Sequence, residues 1–276
     1  VIPDTGLRLL SFGLVFAVMA SWEIVAPRRP RTLPRGARWP HNLALVALNT
    51  LLLRMLFPLG AVGGAIWAAG AGWGLLPWLG APAWVAFPTA VLLLDLAIYL
   101  QHLVFHRIPV LWRVHRAHHA DLDLDVTSGS RFHPVEMVLS MLFKLAVVVA
   151  LGAPTGAVLL FELLLNATAM FNHANVGLPP WLDRPLRWVI VTPDMHRVHH
   201  SIRPDETNSN FGFNIPLWDR VFGTYRQAPR DGHPEMTLGL PDVRDPAGQR
   251  LDRMLLQPFV RGRSAVQDGS HDTKGQ

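Results

Sequence analysis

Cysteine is absent from the 276-residue chain. That removes disulfide frameworks, zinc ribbons, iron-sulfur clusters, c-type haem attachment and thiol catalysis together, so any metal must rest on nitrogen or oxygen ligands. Charge is also scarce: 16% of residues are Asp, Glu, Lys or Arg, while 50% are apolar, and the mean hydropathy is positive at +0.24. Such a balance is foreign to a soluble domain of this length. No basic stretch is interleaved with aromatic residues, so the net charge of +5 builds no surface for tracking a phosphate backbone, and nucleic acid is not an expected partner. The positive charge falls between apolar blocks, where it reads as membrane topology.

Those blocks are long enough to cross a bilayer at about 1.5 Å per helical residue. The first, residues 7–26, has no basic stretch before it, which favours a retained anchor over a cleaved signal. The loop after it carries Arg28, Arg29, Arg31, Arg35 and Arg38, whereas the connection at residues 69–81 carries no charge. By the positive-inside rule the arginine loop is cytoplasmic. Blocks 42–67 and 83–105 lead out and back. The fourth region, 135–171, is too long for one span and is broken at Gly152, Ala153 and Pro154, so it predicts a helical hairpin with both ends on the cytoplasmic side. Lys144 and Glu162 lie nine residues either side of Ala153, at equal depth on antiparallel arms, where they can pair. The expected fold is all-α, an integral membrane helical bundle of three spans plus this hairpin, with residues 172–225 as a His-rich cytoplasmic cap. Residues 1–225 form one domain, and 226–276 read as a polar tail whose last fifteen residues are disordered.

Ten of the thirteen histidines fall between His102 and His200, and eight of these form the motifs HLVFH, HRAHH and HRVHH. Spacings of three and four set imidazoles on one face of a helix. His102 and His106 make the first face, His115, His118 and His119 the second, and His196, His199 and His200 the third. Eight converging neutral imidazoles exceed what one ion can use, so two metals are implied. Without metal the same rings would leave unpaired donors and repel one another on protonation. His173, after the hairpin, is placed either to add a ligand or to make a structural hydrogen bond. His133, where the hairpin begins, reads as a cap or as support behind the ligands, and His41, His233 and His271 read as solvated. Asp95 lies seven residues before His102, beneath it on the same helical face. It either orients that imidazole through its other nitrogen or pairs with Arg54. Trp112, Trp181, Trp188 and Trp218 read as interfacial anchors or cap packing.

Together with RFHPVE, FNHANV, TPDMHRVHHS and NFGFNIPLWDRVFGTY, the three boxes make residues 94–225 resemble the fatty acid hydroxylase and sterol desaturase superfamily, in particular its bacterial members. The resemblance implies a membrane-bound, non-haem di-iron oxidoreductase that uses O2 to hydroxylate or desaturate a lipid, in the inner membrane with its metal site facing the cytoplasm. It places two Fe ions, which zinc can replace in purified protein, on His102, His106, His115, His118, His119, His196, His199 and His200, with His173 as a further ligand. The metal pair is then the catalytic group, because breaking an unactivated C–H bond needs an oxidant stronger than any side chain. The lipid is expected to enter sideways from the bilayer. Some members carry a fused cytochrome b5 module. Here His133 is followed by Pro-Val-Glu, unlike the Pro-Gly-Gly of such a haem loop, so electrons are expected from a separate ferredoxin or reductase system. Three other readings use the same histidines: a divalent-metal transporter, a membrane zinc hydrolase and a bis-histidine haem protein. The transporter expects polar residues through several spans, whereas only Asp95, Arg54, Lys144 and Glu162 lie deep. The hydrolase expects an HExxH helix, and the haem protein isolated axial histidines instead of adjacent pairs.

Overall fold

A computed structural model describes residues 4–260; His271 and the end expected to be disordered lie outside the described residues. Apolar blocks without strand-like alternation fold as helices: α1 (Asp4–Val25), α2 (Arg35–Leu56), α3 (Gly60–Gly70), α4 (Leu75–Trp78), α5 (Ala83–Arg107), α6 (Pro109–His119), α7 (Pro134–Leu151), α8 (Thr155–His173), α9 (Pro180–Leu186), α10 (Pro193–His199), α11 (Pro204–Thr207) and α12 (Leu217–Val221). No sheet forms among the described residues, which hold two isolated bridges. Five stretches are long and apolar enough to cross a membrane: α1, the run from α2 to α4, α5, α7 and α8. The chain is an integral membrane protein, and these stretches match the three apolar blocks and the two hairpin arms in number and order.

The second block differs from the single span expected of it. Pro58 cannot continue a helix and pushes the preceding residue out of the helical region, so α2 ends at Phe57, with φ −132° and ψ 68°, and α3 starts afresh. The first half of α2 also lies in the cap. Asn42 Nδ2 donates to Thr127 Oγ1 at 2.9 Å and Asn49 Nδ2 to the Phe132 carbonyl at 2.8 Å, so α2 is tied to the segment between α6 and α7. Small residues let these helices approach closely. Ala61 and Ala65 of α3, Ala86 and Ala90 of α5 and Ala157 and Val158 of α8 belong to one buried cluster.

The hairpin turns at Gly152, which closes α7 in the left-handed region at φ +60°. A Cβ there would stand 2.5 Å from the Trp73 carbonyl oxygen, so glycine is required twice over. Lys144 pairs with Glu162 across the arms as expected, and Arg8 of α1 reaches the same carboxylate at 2.7 Å. Each arm packs on α3 and α5.

At the ends of the bundle the structure shows tertiary contacts that composition did not indicate. The arginine loop is taken up by tertiary contacts: Arg28 pairs with Asp194, Arg35 with Glu23, and the fully buried Arg38 with Asp121 and Asp125. Residues 226–260 are part of the cap. Gln249 accepts from Arg131 at 2.6 Å and donates to the Ala120 carbonyl at 2.9 Å, while Met236 and Leu238 are buried with Leu124. His233, expected in solvent, has a side chain 11% exposed and lies 3.7 Å from Asp194. Isolated apolar residues in a polar stretch have no period, so the sequence signal for burial was missing.

Candidate metal centre

All three boxes stand at helix ends. The last turns of α5 carry His102 and His106. Pro109 then opens α6 after the extended Ile108, a sharp reversal that folds α6 back over α5 and turns His115, His118 and His119 towards the first pair. His173 is the last residue of α8. Thr192 caps α10, its side chain accepting from Met195 N, and Pro193 starts a helix of seven residues that presents His196 and His199 and ends at His200.

Nine imidazoles meet here in two groups. One holds His102, His106, His115, His119 and His199, the other His118, His173, His196 and His200, and in each the candidate ligand atoms lie within 4.8 Å of one another. The second and third boxes each serve both centres, since His118 and His119 part company, as do His199 and His200, whereas the first box serves one. The second nitrogens set the tautomers. Nδ1 of His102, His118, His173 and His199 donates to the carbonyls of Phe211, Arg131, Ala169 and Ser209 at 2.7–3.2 Å, and Nδ1 of His115 donates to Glu136 Oε1 at 2.6 Å. A neutral ring that donates through Nδ1 bears a lone pair on Nε2.

These lone pairs face each other. His118 and His173 approach Nε2 to Nε2 at 3.1 Å, His102 meets both His115 and His199 at 3.1 Å, and His196 meets His173 at 3.1 Å. Acceptors facing acceptors at this distance repel unless a cation lies between them. A metal–imidazole bond of about 2.0–2.1 Å separates adjacent ligands by roughly 2.8–3.4 Å in octahedral or tetrahedral geometry, so spacing and donor set both fit two transition-metal ions.

The rings are sealed: each of the nine is at most 4% exposed. Phe132 stacks on His118 at 4.4 Å, and Trp112 covers His106 and His119 at 4.9 and 5.3 Å. Burial, reinforced by neighbouring imidazoles, pushes His118, His119, His196 and His200 well below the ordinary histidine range and His199 down to about 3. They are neutral at pH 7, the form that binds metal. Because their folded pKa values are depressed, the unfolded chain takes up protons first as pH falls below about 6.5, and stability is lost in that direction. The metal-free protein is therefore expected to keep a constant Tm above about pH 7 and to lose it steadily towards pH 5.5. A flat Tm over that interval in detergent would contradict the neutral cluster.

Glu136 was missed by sequence reasoning, although it is the one acid in the first turn of an apolar helix. The backbone carbonyls at Phe211, Arg131 and Ser209 leave no trace in a sequence. His133 binds in neither group; it caps α7, accepting from Val135 N at 3.2 Å, and its Nε2 donates to the Leu255 carbonyl at 3.2 Å. Asp95 touches neither His102 nor Arg54. Its Oδ2 accepts from Trp218 Nε1 at 2.8 Å, and Asn214 and the Ile215 backbone also bond it. Asn214 in turn accepts from Thr168 of α8. Asp95 thus pins the segment that carries Phe211 and Phe213 against the ligands, at one remove from them.

Comparison with known proteins agrees with this centre. The chain is 28% identical over 173 residues to the ornithine lipid hydroxylase of Rhizobium tropici, covering 62% of this chain and 50% of that protein. It is 29% identical over 136 residues to the alkylglycerol monooxygenase of Xenopus tropicalis, covering 48% and 28%. It is 29% identical over 156 residues to a Delta(7)-sterol 5(6)-desaturase of Aspergillus fumigatus, covering 54% and 41%. The chain thus spans about half the length of these relatives, or less. No solved structure matches it. The fatty acid hydroxylase profile matches residues 87–224, from the second turn of α5 to the end of the segment pinned by Asp95, and includes all nine histidines; the chain belongs to the fatty acid hydroxylase family.

Proposed function

We propose that this chain is a membrane-bound, non-haem di-iron oxidoreductase that uses O2 and external electrons to hydroxylate or desaturate a lipid. The observation that carries the reading is the pair of buried groups, five and four imidazoles, whose Nε2 atoms approach one another at metal-ligand spacing. Iron bound there would supply the activation of O2 and the oxidising power for C–H cleavage. The protein's part is positional. Five of the rings are aimed through Nδ1 by fixed acceptors, which is how such partners hold ligands in one orientation. Phe132, Trp112 and Phe211 keep water from the rings.

The relatives act on an ornithine lipid, an alkylglycerol and a sterol by their names, which supports a lipid substrate and leaves its head group open. An apolar groove between α2 and α7, lined by Leu52, Pro134, Val135, Val138 and Leu139, supports entry from the bilayer. It begins two residues from Phe132, the ring stacked on His118. The transporter reading is disfavoured because the deep charges of Arg8, Lys144 and Glu162 are bonded together in one cluster and mark no polar path. The hydrolase reading expects an HExxH helix, and no such motif occurs in the sequence. Electrons come from a separate ferredoxin or reductase, and the arginine-rich cap faces the cytoplasm of a bacterial inner membrane.

Protein grown on iron-57 and purified in detergent is expected to show about two coupled irons per chain by Mössbauer spectroscopy, as two ligand groups require. Lipids from cells producing it are expected to include a species that has gained one oxygen atom or lost two hydrogens. Zinc alone after iron-replete growth, with an unchanged lipid profile, would overturn the reading.

A further inference from the structure

Behind α10 the cap holds a second feature, a cleft of about 810 Å³ lined by Arg28, Arg184, Arg187 and Arg220 against two carboxylates, Asp183 and Asp194. None of the nine histidines lines it. Both carboxylates are already matched. Asp183 pairs with Arg187 at 2.6 Å, and Asp194 is held by Arg28 in front and Arg197 behind. Among the described residues no carboxylate pairs with Arg184 or Arg220, so two guanidinium groups face the cleft in surplus.

Arg220 is also held in place. Its guanidinium lies over Trp188 at 3.8 Å and over Tyr225 at 4.1 Å, and Nη2 donates to the Arg187 carbonyl at 2.9 Å. Its Nε is buried without a hydrogen-bond partner among the described residues. A planar fork whose orientation is set by two rings suits an oxyanion, phosphate above all.

The rim tells where such an oxyanion would come from. Trp188, Val189, Val221 and Phe222 are 49–69% exposed beside the cleft. The helix α12 that carries Arg220 lies against the candidate span α5: Trp218 donates to Asp95, and Phe222 stacks on Tyr99 at 5.4 Å. Asp95 and Tyr99 are twelve and sixteen residues into α5, or about 18 and 24 Å along its axis, so α12 lies against the His102 half of a span through a core about 30 Å thick, with Trp218 at depth and Phe222 towards the boundary. Arginines beside exposed tryptophan and aliphatic residues at that depth are the composition of an interfacial lipid site.

We propose that this cleft binds the phosphate head group of a net-anionic bilayer phospholipid, whose acyl chains lie over the rim formed by Trp188, Val189, Val221 and Phe222. The site stands apart from the nine histidines and does not rest on the redox reading. Free phosphate esters share the head-group chemistry, so the test separates them from lipid.

The metal-loaded full chain in detergent is titrated with phosphatidylglycerol, with phosphatidylcholine of the same acyl chains, and with glycerol 3-phosphate, binding being read by native mass spectrometry. Phosphatidylglycerol is expected to bind at least about tenfold tighter than either of the others. The Arg184→Gln, Arg220→Gln double variant is expected to lose that preference with its metal content unchanged, whereas Arg250→Gln, Arg253→Gln, at exposed positions elsewhere, keeps it. If the double variant fails to fold, Arg184→Gln alone, at an exposed position, must still weaken phosphatidylglycerol binding severalfold. Equal affinity for the two lipids, or equal loss in the Arg250 and Arg253 control, overturns the site. Glycerol 3-phosphate binding as tightly as phosphatidylglycerol overturns the lipid assignment.

Discussion

His196→Ala is expected to reduce bound metal from about two ions per chain to about one and to abolish turnover, while His106→Ala retains more metal and still loses activity. The difference comes from the unequal groups. His196 belongs to the set of four with His118, His173 and His200, and its removal leaves three imidazoles; His106 belongs to the set of five, and its removal leaves a complete tetrahedral complement. Ferrous iron is among the weaker divalent binders to nitrogen ligands, so the three-histidine remnant holds it poorly. Loss of a partner that merely orients a ligand typically costs about 10- to 100-fold in affinity or activity, and loss of the ligand itself is expected to exceed about 100-fold in turnover. Metal analysis beside lipid turnover checks both parts. Identical metal loss in the two variants would dissolve the division into five and four, and full turnover in either would remove that histidine from the centre.

Arg38→Ala is expected to cost about 3–5 kcal/mol of stability, the usual range for removing one partner of a buried ion pair. The Arg38 guanidinium is fully buried and donates to Asp121 Oδ1 and Oδ2 at 2.7 Å each, Asp125 Oδ2 at 2.6 Å, the Asp123 carbonyl at 2.8 Å and Ser128 Oγ at 3.1 Å. A lysine has no fork to span these acceptors, so Arg38→Lys is expected to recover little of the loss. Burial raises the Asp121 pKa, but Arg38 and Arg131 outweigh it and hold the carboxyl well below its ordinary range. The sign follows from the depressed value: the pair stabilises the fold above the unfolded carboxylate pKa of about 3.9, and that contribution disappears as pH falls through the folded value. In Arg38→Ala the stranded carboxylates protonate more readily, so the gap in Tm between variant and parent should narrow from pH 7 to pH 5. A gap independent of pH would show that Arg38 acts through packing and not through charge. The loop concerned, residues 120–131, also supplies the Arg131 carbonyl that aims His118, so the variant should lose metal as well as stability.

Helix-spaced histidines were the most legible feature, because a repeat of 3.6 residues decides locally which rings share a face. His173 could be placed near the centre from its position at the end of the hairpin, although its Nε2 contacts with His118 and His196 could not. The pairing of Lys144 with Glu162 was legible for a similar reason: turn position and helical rise are enough to match depth. Arg8 was not, since nothing local says which span will lie beside the pair. Asp95 was misread in both alternatives, because the residues that occupy it, Trp218 and Asn214, arrive from more than a hundred positions away. The loop arginines satisfied a topological rule on composition alone, and the carboxylate partners of Arg28 and Arg38 were distant in the chain.

The sequence by itself determined that this protein lies in a membrane, that it is helical, and which eight histidines share helical faces at one end of its bundle, with His173 close by. Each follows from local quantities: apolar run length, turn-forming residues and helical period. Only the tertiary structure decided how the nine divide between two centres, that Glu136 and three distant carbonyls aim the rings, and that residues 226–260 close the cap. Those depend on how α5, α6, α8 and α10 cross. The crossings are set by packing of side chains remote in sequence, for which no spacing rule exists.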